Sequence, residues 1–288
     1  MFEAIFDLSR RNPTSRFKLW TRDGGALQPP RPAGTNDSER YDRIARDPRY
    51  GHFARIPARI LCCLDYFHVT CDQITAARIL SAYYIFIAVV DNAIDSGDSQ
   101  AAATVFGHLA KSIPANQSKL SDVALITENL KLQLDARVVF GFRHELARLY
   151  QAVREERMAV SIDMYLEVRK TVGRLTADLS YLLISPLLDG EKKSLRSFMQ
   201  QVGAVGCLVD SVIDFNADRR RGLLSFAPTT TDYVKLVAVA LFEGLSIGAR
   251  HPRLAGLFAR AILDNVRDRF VATADAARPT RVQCQVGR

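Results

Sequence analysis

Three aspartates, Asp210, Asp214 and Asp218, recur every four residues in the stretch VGAVGCLVDSVIDFNADRRRG, from Val202 to Gly222. Residues four apart on an α-helix lie one above the other, so three carboxylates stack along one edge of an otherwise apolar helix. Left alone they repel one another. A cation relieves that repulsion, and hard divalent ions such as Mg²⁺ favour carboxylate and water oxygens. Arg219, Arg220 and Arg221 follow, then Gly222, a fitting helix stop. Carboxylates for a metal beside guanidinium groups for an anion suit a phosphate ester held through Mg²⁺. The same residues equally describe a solvated acidic face whose basic last turn matches the helix dipole.

A second copy separates the two readings. The apolar run ILSAYYIFIAVVDNAID ends in Asp91 and Asp95, again four apart. So apolar a run predicts a buried helix. An unpaired charge at the end of a core helix is costly, so these carboxylates need a partner or a purpose. Two such helices facing each other bring five carboxylates to the mouth of one bundle.

The pattern is helical from Phe53 almost to the end, and no alternating strand appears. Helices are expected over 56–69, 73–95 with Asp72 as N-cap, 100–111, 119–157 with a soft point at Gly141, 161–183, 192–218, 232–248 and 252–273. The expected fold is all-α: a single-domain helical bundle over 51–272, with two Asp-rich helices facing a central apolar cavity. Residues 1–50, with GGALQPPRPAGTND, read as a flexible basic arm, and 273–288 as a polar tail. In the helix MYLEVRKTVGRLTADLSYLLI, Gly173, Ala177 and Ser180 leave one face narrow, for close packing or for a ligand. Arg169, Lys170 and Arg174 lie within two turns of each other there. Tyr84, Tyr165 and Tyr181, with Gly173 and Ala177, are candidate cavity residues.

With 288 residues, 48% of them hydrophobic, the chain can bury a substantial core. Five cysteines without a CxxC pair read as reduced thiols of a cytoplasmic protein, and five histidines show no metal-ligand spacing. The net charge of +8 favours an anionic substrate first, peripheral contact with a membrane surface second and nucleic acid last, since no nucleic-acid motif appears. No uninterrupted apolar run predicts a transmembrane helix, and MFEAIFDLSRR is not a secretory signal.

VVDNAID and LVDSVIDFNADRRRG, in that order and well over one hundred residues apart, resemble the aspartate motifs of the trans-isoprenoid synthase superfamily, the all-α class I terpene and prenyl synthases. The squalene and phytoene synthase branch is similar in its two DxxxD-type motifs. The bacterial large-terpene synthases are similar at the second motif, where a basic residue, Gly and a short apolar segment follow the D-x3-D-x3-D run. The first motif departs from the DDxxD of chain-elongating enzymes, and neither an NSE/DTE triad nor a GGKR-like signature is present. The resemblance implies a Mg²⁺-dependent lyase that ionises one prenyl diphosphate and converts the allylic cation to a cyclic or linear terpene. It implies two or three Mg²⁺ ions on Asp91, Asp95, Asp210, Asp214 and Asp218, with Asp91, Asp95 and Asp214 catalytic. It also implies diphosphate contacts from among Arg169, Lys170, Arg174, Arg219 and Arg220. The alternatives are a head-to-head prenyl condensing enzyme and a catalytically inactive helical interaction protein. A homodimer is compatible with all three.

Overall fold

The computed structural model describes residues 35–110 and 120–276, with side chains over 37–110 and 120–267. These residues form eleven α-helices and two short 3₁₀ turns, with no strand among the described residues. In chain order the helices are α1 Thr35–Ala45, α2 Gly51–Ala54, α3 Ile56–Tyr66, α4 Gln73–Asp95, α5 Ala101–Ala110, α6 Asp122–Lys131, α7 Val139–Glu156, α8 Ile162–Ile184, α9 Lys193–Arg221, α10 Thr230–Arg250 and α11 Pro252–Ala276.

Local chemistry sets the boundaries. The Asp72 carboxylate accepts the Ile74 and Thr75 backbone N–H groups and starts α4. Ser161 does the same for α8 through the Met164 N–H. Thr229 and Asp232 form a reciprocal capping box at α10. The last aspartate helix stops at Gly222, which takes the left-handed conformation (φ 69°) that a side chain would disfavour.

α4 is apolar all round and is buried on most sides, from Ala76 to Val89. By length and composition it could cross a membrane; here most of it lies inside the bundle. It packs against α3, α6 and α8. Two tyrosines fix it to α8: the Tyr83 hydroxyl donates to the Thr176 carbonyl (3.0 Å), and Tyr84 pairs with the Ser180 hydroxyl (2.9 Å).

α8 and α9 make the most extensive helix contact. They cross at Gly173 and Gly203, backbone against backbone. A Cβ on Gly173 would stand 2.6 Å from the Gly203 carbonyl carbon; one on Gly203 would stand 2.7 Å from the Ala177 Cβ. Nearer the start of α9, the buried Asp178 accepts two bonds from Arg196 (2.6 and 2.7 Å) and one from Gln200 (2.7 Å). Burial alone would raise this carboxyl, but those bonds hold it below its ordinary pKa.

Three expectations change. The arm foreseen over residues 1–50 contains α1 and a 3₁₀ turn. Tyr41 and Tyr50 are buried, and Arg40 donates to the Leu120 carbonyl and the Asp122 carboxylate. Gly- and Pro-rich residues just upstream masked this helix. The helix foreseen over 119–157 is two helices, because Asp135 accepts the Arg137 backbone N–H (2.8 Å) and its guanidinium, closing a turn. The last helix runs on to Ala276. Residues 1–34 of the expected arm and 277–288 of the expected tail, with Cys284, lie outside the described residues.

The glycine crossing makes a sharp test. Gly203→Ala should cost roughly 2–3 kcal/mol by overpacking and lower Tm by several degrees. Gly206→Ala, one turn along the same helix with nothing within 4 Å, should be neutral or stabilise by up to about 1 kcal/mol. Thermal melts of the two variants against wild type check this; equal effects would refute the close crossing.

Candidate functional site

Because α8 and α9 touch at the glycines, Arg169 on α8 reaches across to α9. Its Nε donates to the Ser211 hydroxyl (2.8 Å) and its Nη2 to the Cys207 carbonyl (3.2 Å). Its Nη1 meets both oxygens of Glu156, the last residue of α7, at 3.2 Å. The Tyr165 hydroxyl also donates to Ser211 (3.1 Å). Three helices thus hold one guanidinium in a fixed place.

Around this arginine the two aspartate motifs meet. Burial pushes the Asp91 carboxyl up to about 7, and the charges of Asp95, Glu156 and Asp210 add to that, with Arg169 opposing. By surface area Asp91 is exposed to solvent at the end of α4, so the crowding that raises it comes from the protein mass beneath and beside it and not from enclosure. Asp218 is pushed up to about 6 by burial and by Asp214 and Asp95, with Arg169 and Arg221 opposing. Carboxylates from the end of α4 and the end of α9 therefore feel each other across the bundle. Among the described residues, no three acidic, thiol or imidazole groups are gathered tightly enough to hold a metal ion on their own.

Two more side chains complete the surroundings. Arg157 donates to Asp95 (2.6 Å), and this pair is open to water, 41% and 46% exposed, so it is weak and easily exchanged. Asn265 on α11 donates to Asp210 (2.7 Å), while its Oδ1 is buried without a protein partner. That orphan acceptor, the carboxylates and their raised pKa values fit a hard divalent cation: all are oxygen donors, and the negative charge is undercompensated. Mg²⁺ typically takes one or two carboxylates together with substrate phosphates rather than an all-protein cage.

Not every expected residue gathers here. Lys170 turns to Glu167 and, at 3.9 Å, to Glu243 on α10. Arg174 is exposed on α8, and Arg219 and Arg220 are exposed on the last turn of α9, where Arg221 is the arginine that acts on Asp218. The candidate cavity residues are all packed. Gly173 and Ala177 face Gly203. Tyr84 and Tyr165 are 5% and 3% exposed and hydrogen-bonded as described; Tyr181 is 4% exposed, with its hydroxyl accepting the Lys192 N–H (2.8 Å). Two open depressions lie elsewhere, one among Glu39, Asp42 and Arg43, the other among His144, Arg148 and Gln151. Cys63 is buried and Cys207 half-buried, and both thiols are pushed up to about 12, too basic to react as thiolates.

Glu156, Arg157 and Asn265 carry no spacing relation to the aspartate motifs, and only the tertiary fold brings them in; Ser211 stands inside the second motif, next to Asp210. No protein-family model matches the chain, and no curated protein or solved structure matches it either.

The crowded carboxylates give stability a pH dependence. A carboxyl with a raised folded pKa keeps its proton in the folded chain when the unfolded chain has lost it. The folded state gains most below about pH 4 and loses that gain as pH climbs through about 6 and 7. Without metal, Tm should therefore fall over that range. Asp91→Asn should flatten the slope and raise Tm at about pH 8; melts of both proteins in EDTA across the range measure it.

Proposed function

We propose that this chain is a Mg²⁺-dependent class I terpene synthase acting on a prenyl diphosphate. The observation that supports it best is the influence of each motif on the other: Asp210 helps to raise Asp91, and Asp95 helps to raise Asp218. Two aspartate motifs more than one hundred residues apart act on one another around the fixed charge of Arg169. An inert surface would have no need to press carboxylates together at this cost.

In this reading Asp91, Asp95, Asp210, Asp214 and Asp218, with Asn265 Oδ1, hold the Mg²⁺ ions. When bound, Mg²⁺ supplies positive charge to the diphosphate as negative charge grows there. Arg157 leaves its exposed bond to Asp95 and takes a diphosphate oxygen. Arg169 stays clamped by Glu156 and Ser211 and supplies a preorganised charge. The allylic C–O bond breaks, diphosphate departs with the electron pair, and the cation ends by losing a proton or adding water. The buried apolar cluster of Tyr165, Leu208, Phe215 and Leu236 borders the site at Ser211, the hydroxyl that Tyr165 and Arg169 share.

Purified protein with C10, C15, C20 and longer prenyl diphosphates should yield a hydrocarbon or alcohol with Mg²⁺ and none with EDTA, read by gas chromatography and mass spectrometry. Asp214→Asn and Asp91→Asn should each lose roughly 10²-fold or more in kcat. Arg157→Gln should lose less than either. Mg²⁺ with diphosphate should raise Tm, by about 2.7 kcal/mol of linkage at a hundredfold excess over Kd. Condensation of two substrates would instead favour the head-to-head enzyme. No turnover and no response of Tm would refute the reading and leave an interaction protein.

A further inference from the structure

In the hairpin of α10 and α11, α10 carries a second apolar side that faces outward. On α10, Leu236, Ala240 and Ile247 face the bundle. The opposite side carries Val234, Ala238, Leu241, Phe242 and Leu245, which fall within an arc of about 100° at helical spacing. Phe242 is 74% exposed, Leu245 71%, and Leu241 and Val234 60% each. This is the reverse of an ordinary surface helix, whose outward side is polar. Leu263 on α11 is 68% exposed as well.

The neighbouring helix supplies charge. Arg253, Arg260 and Arg267 recur every seven residues and so run down one side of α11, all three exposed. Lys235 borders the apolar arc on α10 and is also exposed. The whole chain carries a net charge of +8. Contiguous apolar exposure of this kind marks a contact surface, and the charge beside it selects the partner. A two-fold dimer sets a face against its own copy, so basic residues would meet basic residues. A surface of anionic headgroups over hydrocarbon satisfies both features at once.

We propose that the α10–α11 hairpin docks this chain on an anionic lipid bilayer. Leu241, Phe242 and Leu245 enter the boundary between headgroups and acyl chains, and the arginines of α11 meet the lipid phosphates and carboxylates. The proposal stands independently of any turnover, since it rests only on this surface.

The test is flotation of the full chain with two kinds of vesicle: phosphatidylcholine alone, and phosphatidylcholine with about 30% phosphatidylserine. Binding should be at least about tenfold tighter to the anionic vesicles and should weaken steeply with added salt. Leu241→Glu with Leu245→Glu should reduce it by about tenfold or more. Arg253→Glu with Arg260→Glu should remove the preference for anionic lipid. These positions are exposed, and unchanged circular dichroism and melting separate lost docking from lost folding. Equal binding to both vesicles, no binding, or binding that survives the Leu241/Leu245 variant overturns the proposal. So does a wild-type dimer, seen by analytical ultracentrifugation, that ignores vesicles and dissociates in that variant: a second copy would then be the occupant.

Discussion

The contact between Gly173 and Gly203 is the constraint on which the arrangement of charges depends. Two helices can approach until their backbones touch only where neither carries a Cβ at the crossing. Glycine inside a helix costs about 1 kcal/mol relative to alanine, so two of them at one crossing require a return. Part of it is dispersion between closely packed atoms. The rest is placement. Four residues before Gly173 on α8, Arg169 is carried near enough to bond Ser211 and the Cys207 carbonyl on α9. A wider crossing with larger residues would pull that guanidinium off α9 and leave it half-buried with fewer partners, an expensive state for a charge.

At the far end of the same crossing, a different kind of pair performs a purely structural task. Asp178 and Arg196 are matched two bonds to two oxygens, Gln200 adds a third, and the carboxyl is held in its charged form. The carboxylates around Arg169 are matched differently. Glu156 takes much of the arginine's charge, and Asp91 and Asp218 are left short of compensation, with raised pKa values. One fold thus contains a satisfied ion pair between α8 and α9 and an unsatisfied cluster that α4 and α7 join to the same two helices. The contrast separates scaffold from site more clearly than burial does, since Asp178 is the more buried group and the chemically quieter one.

The helices were legible because periodicity, caps and stops are local. Asp72, Ser161 and Gly222 act within a few residues of where they stand. The two aspartate runs were legible as helix ends for the same reason. Two boundaries were not. Asp135 closes its turn with a single side chain inside a continuous amphipathic pattern, and α1 is held by Tyr41 and by Arg40 reaching residues 120 and 122. The partners of the site escaped for that second reason. Arg157 meets an aspartate 62 positions away, and Asn265 one 55 positions away. Gly173 and Ala177 showed a narrow face, but whether a narrow face admits a ligand or a second helix is decided by what lies opposite, here Gly203.

α11 joins the two surfaces that matter most. Asn265 turns inward to Asp210, while Arg253, Arg260 and Arg267 stand on roughly the other side of the same helix. Anything that shifts α11 along or about its axis therefore acts on Asp210, a member of the aspartate run, as well as on the basic side. α10, between α9 and α11, carries its buried side to the core and its apolar side outward. A substrate with a long prenyl tail and a charged head partitions at a membrane surface, with its tail in hydrocarbon and its diphosphate in water. On the two proposals taken together, a chain that rests there through α10 and α11 would draw substrate from the lipid rather than from dilute solution.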